Sequence, residues 1–122
     1  MRIERKELGE SAVVVMGSDK ILLSDAQSAV DLIMSVRYET GCSRIAVPKP
    51  AVEEDFFRLS SGIAGEILQK FINYHAKLAI IGDFSGYTSK PLKDFIYESN
   101  NGKDVFFVGS EQEAVERLTQ AG

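Results

Sequence analysis

Apolar residues along this chain recur at two spacings, and the alternation between them predicts the elements. Short runs of alternating or consecutive apolar residues read as strands, while apolar positions three and four apart over longer stretches read as helices. Arg2 to Leu8 alternates weakly, and Ala12-Val13-Val14-Val15-Met16 is continuous and mostly β-branched. Gly9-Glu10-Ser11 between them is a turn signal, so the pair predicts a hairpin that Gly17-Ser18-Asp19 closes. Ser24-Asp25-Ala26-Gln27 has the form of a capping box, Ala26, Ala29, Val30 and Ile33 follow at helical spacing, and Gly41 supplies a stop. A first helix from about Asp25 to Thr40 follows. A third strand, Ser43 to Val47, ends at Pro48-Lys49-Pro50, because proline cannot donate to a sheet ladder.

Ile63, Ile67, Leu68, Phe71 and Ile72 form one helical stripe between Ser61 and His75. Lys77-Leu78-Ala79-Ile80-Ile81-Gly82 is an almost unbroken apolar run, as expected for a strand buried on both faces in the middle of a sheet. Leu92, Phe95 and Ile96 follow Pro91 in a third helix, with the proline in the first turn, where a missing N–H costs little. Val105 to Val108 reads as a fifth strand, and Ser110-Glu111-Gln112-Glu113 opens a last helix that turns Ala114, Val115 and Leu118 inward. The predicted order is β-β-α-β-α-β-α-β-α: an α/β fold with a mainly parallel sheet, an antiparallel N-terminal edge and right-handed crossovers. No repeat, low-complexity tract or linker divides the chain, so residues 1–122 read as one domain.

Composition narrows the function classes. The chain has 122 residues, 44% hydrophobic and 26% charged, within the range of ordinary globular domains. A formal net charge of −4 disfavours nucleic acid and anionic membrane surfaces as partners. One cysteine, Cys42, and one histidine, His75, cannot assemble a structural zinc site, so neither metal nor cofactor is expected. The start, Met1-Arg2-Ile3-Glu4-Arg5-Lys6-Glu7, is charged rather than leader-like, and no apolar stretch is long enough to cross a bilayer. A cytoplasmic protein is the expectation.

Phe56-Phe57-Arg58-Leu59-Ser60-Ser61-Gly62-Ile63-Ala64-Gly65-Glu66-Ile67-Leu68-Gln69-Lys70-Phe71, then Lys77 to Phe84, Tyr87 to Ile96 and Phe106 to Val108, closely resemble a bacterial family known as domain of unknown function 4180. The resemblance covers about four fifths of the chain and implies no established activity. More loosely, Ser60-Ser61-Gly62-Ile63-Ala64 with Ile67-Leu68 is similar to the Asp-Ser-Ser-Gly-Leu-Gly stretch of anti-sigma-factor antagonists of the STAS superfamily. That resemblance implies a STAS-like architecture and makes Ser60 the position of a phosphorylated serine that switches partner binding. Leu59 stands where that family has aspartate.

Two candidate sites emerge. At Ser60, Ser61 and Gly62 a helix N-terminus offers free N–H groups to an anion or phosphate. The simpler reading makes Ser61 the helix cap, with Gly62 allowing close approach. The second candidate lies at the carboxyl edge of the sheet, where Lys49, Asp83, Ser85, Tyr87, Ser89 and Lys90 could bind a small polar ligand or support acid–base work. The structural alternative gives Asp83 to a turn and Ser89 to a helix start. His75 reads as a helix-end residue and Cys42 as a buried small hydrophobe. Glu53-Glu54-Asp55 reads as a solvated acidic face, and of the adjacent Phe56 and Phe57 one is expected to be exposed. No nucleophile elbow, dinucleotide fingerprint or phosphate loop occurs. The expectation is a non-enzymatic regulatory or protein-interaction domain with a protein partner or a second copy of itself. The rival is a small enzyme or ligand-binding protein with its site at the carboxyl edge.

Overall fold

The computed structural model describes residues 2–8, 11–17 and 19–121. Strands β1 (Arg2–Leu8), β2 (Ser11–Gly17), β3 (Arg44–Pro48), β4 (Lys77–Ile81) and β5 (Val105–Val108) make one sheet in chain order. β1 runs antiparallel to β2 and every later pair is parallel, as the α/β reading expected. Between and after them come helices α1 (Ala26–Thr40), α2 (Ile63–Asn73), α3 (Lys90–Asn100) and α4 (Glu111–Gln120). The hairpin turn at Gly9 and Glu10, and Ser18, lie outside the described residues.

The strand order has a geometric consequence. Crossovers of one hand that always step to the next strand in the same direction must place all their helices on one face of the sheet. The core agrees. Val14, Ile45, Leu78 and Val105 share a register row and, with Val47, Ile80 and Phe107, pack against Leu32, Ile33 and Val36 of α1, Ile67 and Phe71 of α2 and Leu92 of α3. The opposite face carries the row Val15, Ala46, Ala79 and Phe106, covered by Ala114 and Leu118 of α4. Alanines at the two central positions let that helix settle close to the sheet. β4 is an interior strand buried on both faces, but the centre of the sheet is β3.

Side chains finish the helix ends. The α1 box is one residue later than expected. Asp25 is the N-cap and accepts from the Ser28 N–H at 2.8 Å, while the Ser28 hydroxyl oxygen accepts from the Asp25 N–H at 3.0 Å. Gly41 ends this helix in the left-handed region at φ 74°, as a stop glycine should. α2 ends in a Schellman arrangement: the Ala76 N–H reaches the Phe71 carbonyl at 2.8 Å, and the His75 N–H reaches Ile72 at 3.1 Å. His75 therefore sits at φ 56°, a conformation better suited to glycine. Ser110 caps α4 by accepting from Glu113 N–H at 3.1 Å, and at the other end Arg44 donates to the carbonyls of Leu118 and Ala121. Asn100 occupies the outer edge of β5, accepting from the Phe107 N–H at 2.7 Å and donating to the Phe107 carbonyl at 3.2 Å. It blunts an edge that would otherwise be open to strand pairing.

Because α4 is the helix found on its face, Leu118→Ala is expected to lower unfolding stability by about 2–5 kcal/mol. Urea denaturation followed by circular dichroism would measure it; a loss below about 0.5 kcal/mol would mean that α4 is not a structural cover.

Candidate functional site

The carboxyl edge is built from the loops after β3 and β4. Pro48 ends β3, a 3₁₀ turn over Lys49–Ala51 follows, and a second over Glu54–Phe57 folds back across the strand ends. Gly82, just after β4, lies so close that a Cβ there would stand 2.7 Å from Lys49 Cβ; only glycine admits the lysine stem. Lys49 Nζ is 5.0 Å from the ring centroids of both Phe57 and Tyr87, which stack on one another at 5.1 Å. It pairs with Glu54 Oε2 at 3.6 Å, and the Tyr87 hydroxyl donates to Glu54 Oε1 at 2.9 Å. Beneath them Phe57 touches Phe56 and Phe84, and Phe84 and Phe95 meet Phe107 edge-on. Both Phe56 and Phe57 are buried, contrary to expectation. The tight turn points adjacent rings into one core at an interplanar angle of 63°.

The electrostatics describe a closed arrangement. The Tyr87 hydroxyl, with help from Glu54, raises the Lys49 ammonium above its ordinary pKa against the opposing effect of burial. Burial raises the Tyr87 phenol. Both shifts favour the protonated forms, so the stabilisation is present at neutral pH and is lost only as pH rises through the folded-state values, in the alkaline range. Neither group is poised to exchange a proton near pH 7. Asp83 accepts from the Ser85 hydroxyl at 2.6 Å and the Ser85 N–H at 2.9 Å, which lowers its carboxyl pKa. Ser89 caps α3 and Lys90 pairs with Asp94 at 2.7 Å. Of the predicted set, Lys49 and Tyr87 come together. Asp83 and Ser85 form their own turn, and Ser89 and Lys90 are engaged elsewhere. Glu54, read from sequence as part of a solvated acidic face, is the partner that joins Lys49 to Tyr87. The strand order β2-β3-β4-β5 also never reverses, so the sheet has no switch point at which neighbouring loops would diverge into a crevice.

The serine cluster differs from expectation in a definite way. Leu59–Ser61 is a 3₁₀ turn, and the N-cap of α2 is Gly62, at φ 79°. Nothing lies within 4 Å of a Cβ at Gly62, so its glycine serves backbone conformation rather than close approach. Ser61, one residue earlier, accepts from the Ile63 N–H at 3.2 Å and donates to the Asp55 carbonyl at 2.7 Å. It therefore ties the helix start to the preceding turn. Ser60 is exposed and makes no side-chain hydrogen bond among the described residues.

A family model for the domain of unknown function DUF4180 matches residues 8–118. The chain belongs to this family. No curated protein matches it.

The feature of this DUF4180 chain that sequence reasoning missed lies on the outer surface of the helical layer. Among the described residues the exposed large hydrophobic side chains are Ile21, Met34, Tyr38, Ile72 and Tyr97, and all belong to α1, α2, α3 or the segment leading into α1. Tyr38 is 93% exposed and Tyr97 72%. A cleft of about 230 Å³ between α2 and α3 is lined by Leu68, Ile72, Phe95 and Val105 together with the charged Glu98, Lys103 and Asp104. It continues past Ile72 into a wider hollow bordered by His75, Lys77, Lys103 and Asp104. Another cleft of about 240 Å³ runs along α1 beside Ile21. The signal was present in the i, i+4 pairs Met34/Tyr38, both exposed, and Leu68/Ile72, of which Leu68 is half-buried and Ile72 exposed, but which helix faces remain uncovered depends on the strand order. Cys42 is buried as expected, with Arg5 Nε 3.4 Å from its sulfur.

Two substitutions test these assignments. Tyr87→Phe should lower stability by about 0.5–1.5 kcal/mol through the lost bond to Glu54, and Tyr87→Ala by roughly 2 kcal/mol or more as the stack on Phe57 goes. Equal, negligible losses in a urea titration would deny the cluster a bracing role. Ser61→Ala should cost about 1 kcal/mol, whereas Ser60→Ala should leave the urea midpoint within experimental error; the reverse order would exchange the roles given to the two serines.

Proposed function

We propose that this chain is a non-enzymatic protein-interaction domain of the cytosol that binds its partner over the outer face of α1, α2 and α3. The observation that carries the reading is the gathering of the exposed large apolar side chains on that face, beside an apolar cleft between α2 and α3. Exposed apolar groups grouped on one side and next to a cleft mark interaction surfaces in soluble domains. In the regulatory form of this reading, Ser60 accepts a phosphate near the start of α2, as in STAS-type antagonists. Its free hydroxyl suits that role, and the cleft lies toward the other end of the same helix, so the charge would act on a partner spanning both. The rival, a ligand or catalytic site at the carboxyl edge, draws on the approach of Lys49 to Tyr87. Those groups are already satisfied by one another and by Glu54.

The decisive experiment compares the two regions inside cells. A photo-reactive phenylalanine analogue placed at Tyr97, on the helical face, should give a discrete cross-linked product that Ile72→Asp removes. The same analogue at Thr88, on the carboxyl edge, should give none. Cross-links only from Thr88 would reverse the assignment.

A further inference from the structure

We propose that the occupant of the α2–α3 cleft is α1 of a second copy of this chain, in a symmetric dimer. This rests on the reading of the three-helix face as the contact surface and names the partner.

α1, α2 and α3 lie side by side on one face of the sheet, and each runs from the carboxyl ends of the strands toward their amino ends. On α1, Met34 and Tyr38 are four residues apart and exposed at 40% and 93%, forming a ridge one turn long. Leu68 and Ile72 on α2 line the cleft with the same four-residue spacing. Tyr38 is near the end of α1 and Ile72 near the end of α2, so ridge and cleft stand at the same height above the sheet. A two-fold axis parallel to the helices and passing over α2 preserves that height. It carries the α1 of one copy onto the α2–α3 side of the other, and the reciprocal contact forms at the same time. The result closes as an isologous dimer and leaves no unfilled cleft to propagate.

The charges agree with this placement. Within the hollow at the lower end of the cleft, Lys77 and Asp104 are paired at 3.9 Å, and Lys77 Nζ also donates to the Lys103 carbonyl. The Lys103 ammonium makes no ion pair in the described structure. Glu39, next to Tyr38 at the end of α1, is exposed and likewise unpaired. When Tyr38 enters the lower end of the cleft, Glu39 arrives beside Lys103. Glu98 on the α3 wall is also unpaired and stands above the hollow, toward the cleft. The contact therefore has an apolar centre of Met34, Tyr38, Leu68, Ile72 and Phe95 with a single charge pair at its rim, which occurs twice by symmetry.

Light scattering after size exclusion, and sedimentation over a range of concentrations, test the proposal on the full chain. The wild type should have the mass of two chains, falling toward one on dilution. Tyr38→Asp should weaken the dimer by roughly tenfold or more, and at dilutions where the wild type is monomeric it should leave the unfolding midpoint unchanged, since Tyr38 is almost wholly exposed in the single chain. Glu39→Lys and Lys103→Glu should each weaken it, and the two together should restore it. A monomer at every concentration would overturn self-docking. A cross-link from Tyr97 to a different protein would still support the interaction face, and its absence as well would remove both readings. A dimer indifferent to Tyr38→Asp and to the charge exchange, with new hydrogen-exchange protection confined to β1, would show pairing through the sheet edge and would also overturn the proposal.

Discussion

The winding direction of the sheet constrains everything else in this molecule. Each parallel strand is added beside the previous one, always on the same side, so the three connecting helices fall on one face and the other face needs a cover that no crossover supplies. α4 is that cover. Ala46 and Ala79 lower the sheet surface where it rests, Leu118 fills the contact, and Arg44 from the sheet holds its last carbonyls. Arg117 of the same helix lies 4.6 Å from the Phe106 ring centroid and donates to the Asn100 carbonyl, tying the cover to α3 at the far edge of the sheet. Arg37 does similar work in the other layer, donating from α1 to the Tyr74 carbonyl at the end of α2.

The same winding shapes where function can reside. Doubly wound sheets form a crevice where the strand order reverses, and ligands collect there. This sheet has no reversal, and its carboxyl edge is instead braced by an aromatic stack with a lysine, a glutamate and a tyrosine paired across it. Three helices in a row on one face make a broad ridged surface, with one cleft between α2 and α3 and another beside α1. The exposed large apolar side chains among the described residues lie on the outside of this layer, where a partner can reach them.

Local signals carried most of the fold. Val13 to Met16 and Leu78 to Ile81 announced buried strands, Gly41 a helix stop, Pro91 a first turn and Ser110 a cap, because each depends on neighbours within a few residues. The errors arose where distant chain segments decide. Phe56 and Phe57 both reach the core because the turn that holds them is folded over the strand ends. Glu54 is solvent-exposed as the acidic run suggested, but it also pairs with Lys49 and Tyr87, and Tyr87 comes from a distant part of the chain. Gly62, in the left-handed region, holds the N-cap position of α2, and Ser61, one residue earlier, accepts from the Ile63 N–H while bonding back to the Asp55 carbonyl of the preceding turn. Ile72 read as part of the apolar stripe of α2, yet it is exposed, as are Met34, Tyr38 and Tyr97, because among the described residues nothing packs over the outer face of the helical layer.

Hydroxyl-radical footprinting in intact cells, compared with dilute purified protein, tests the central claim that the three-helix face is the working surface. Tyrosine and methionine side chains report directly, and the chain carries them on both regions: Met34, Tyr38 and Tyr97 on the helical face, Tyr87 at the carboxyl edge. The first three should be oxidised less in cells, with Tyr87 unchanged. Protection of Tyr87 with the helical face as reactive in cells as in dilute solution would contradict that claim.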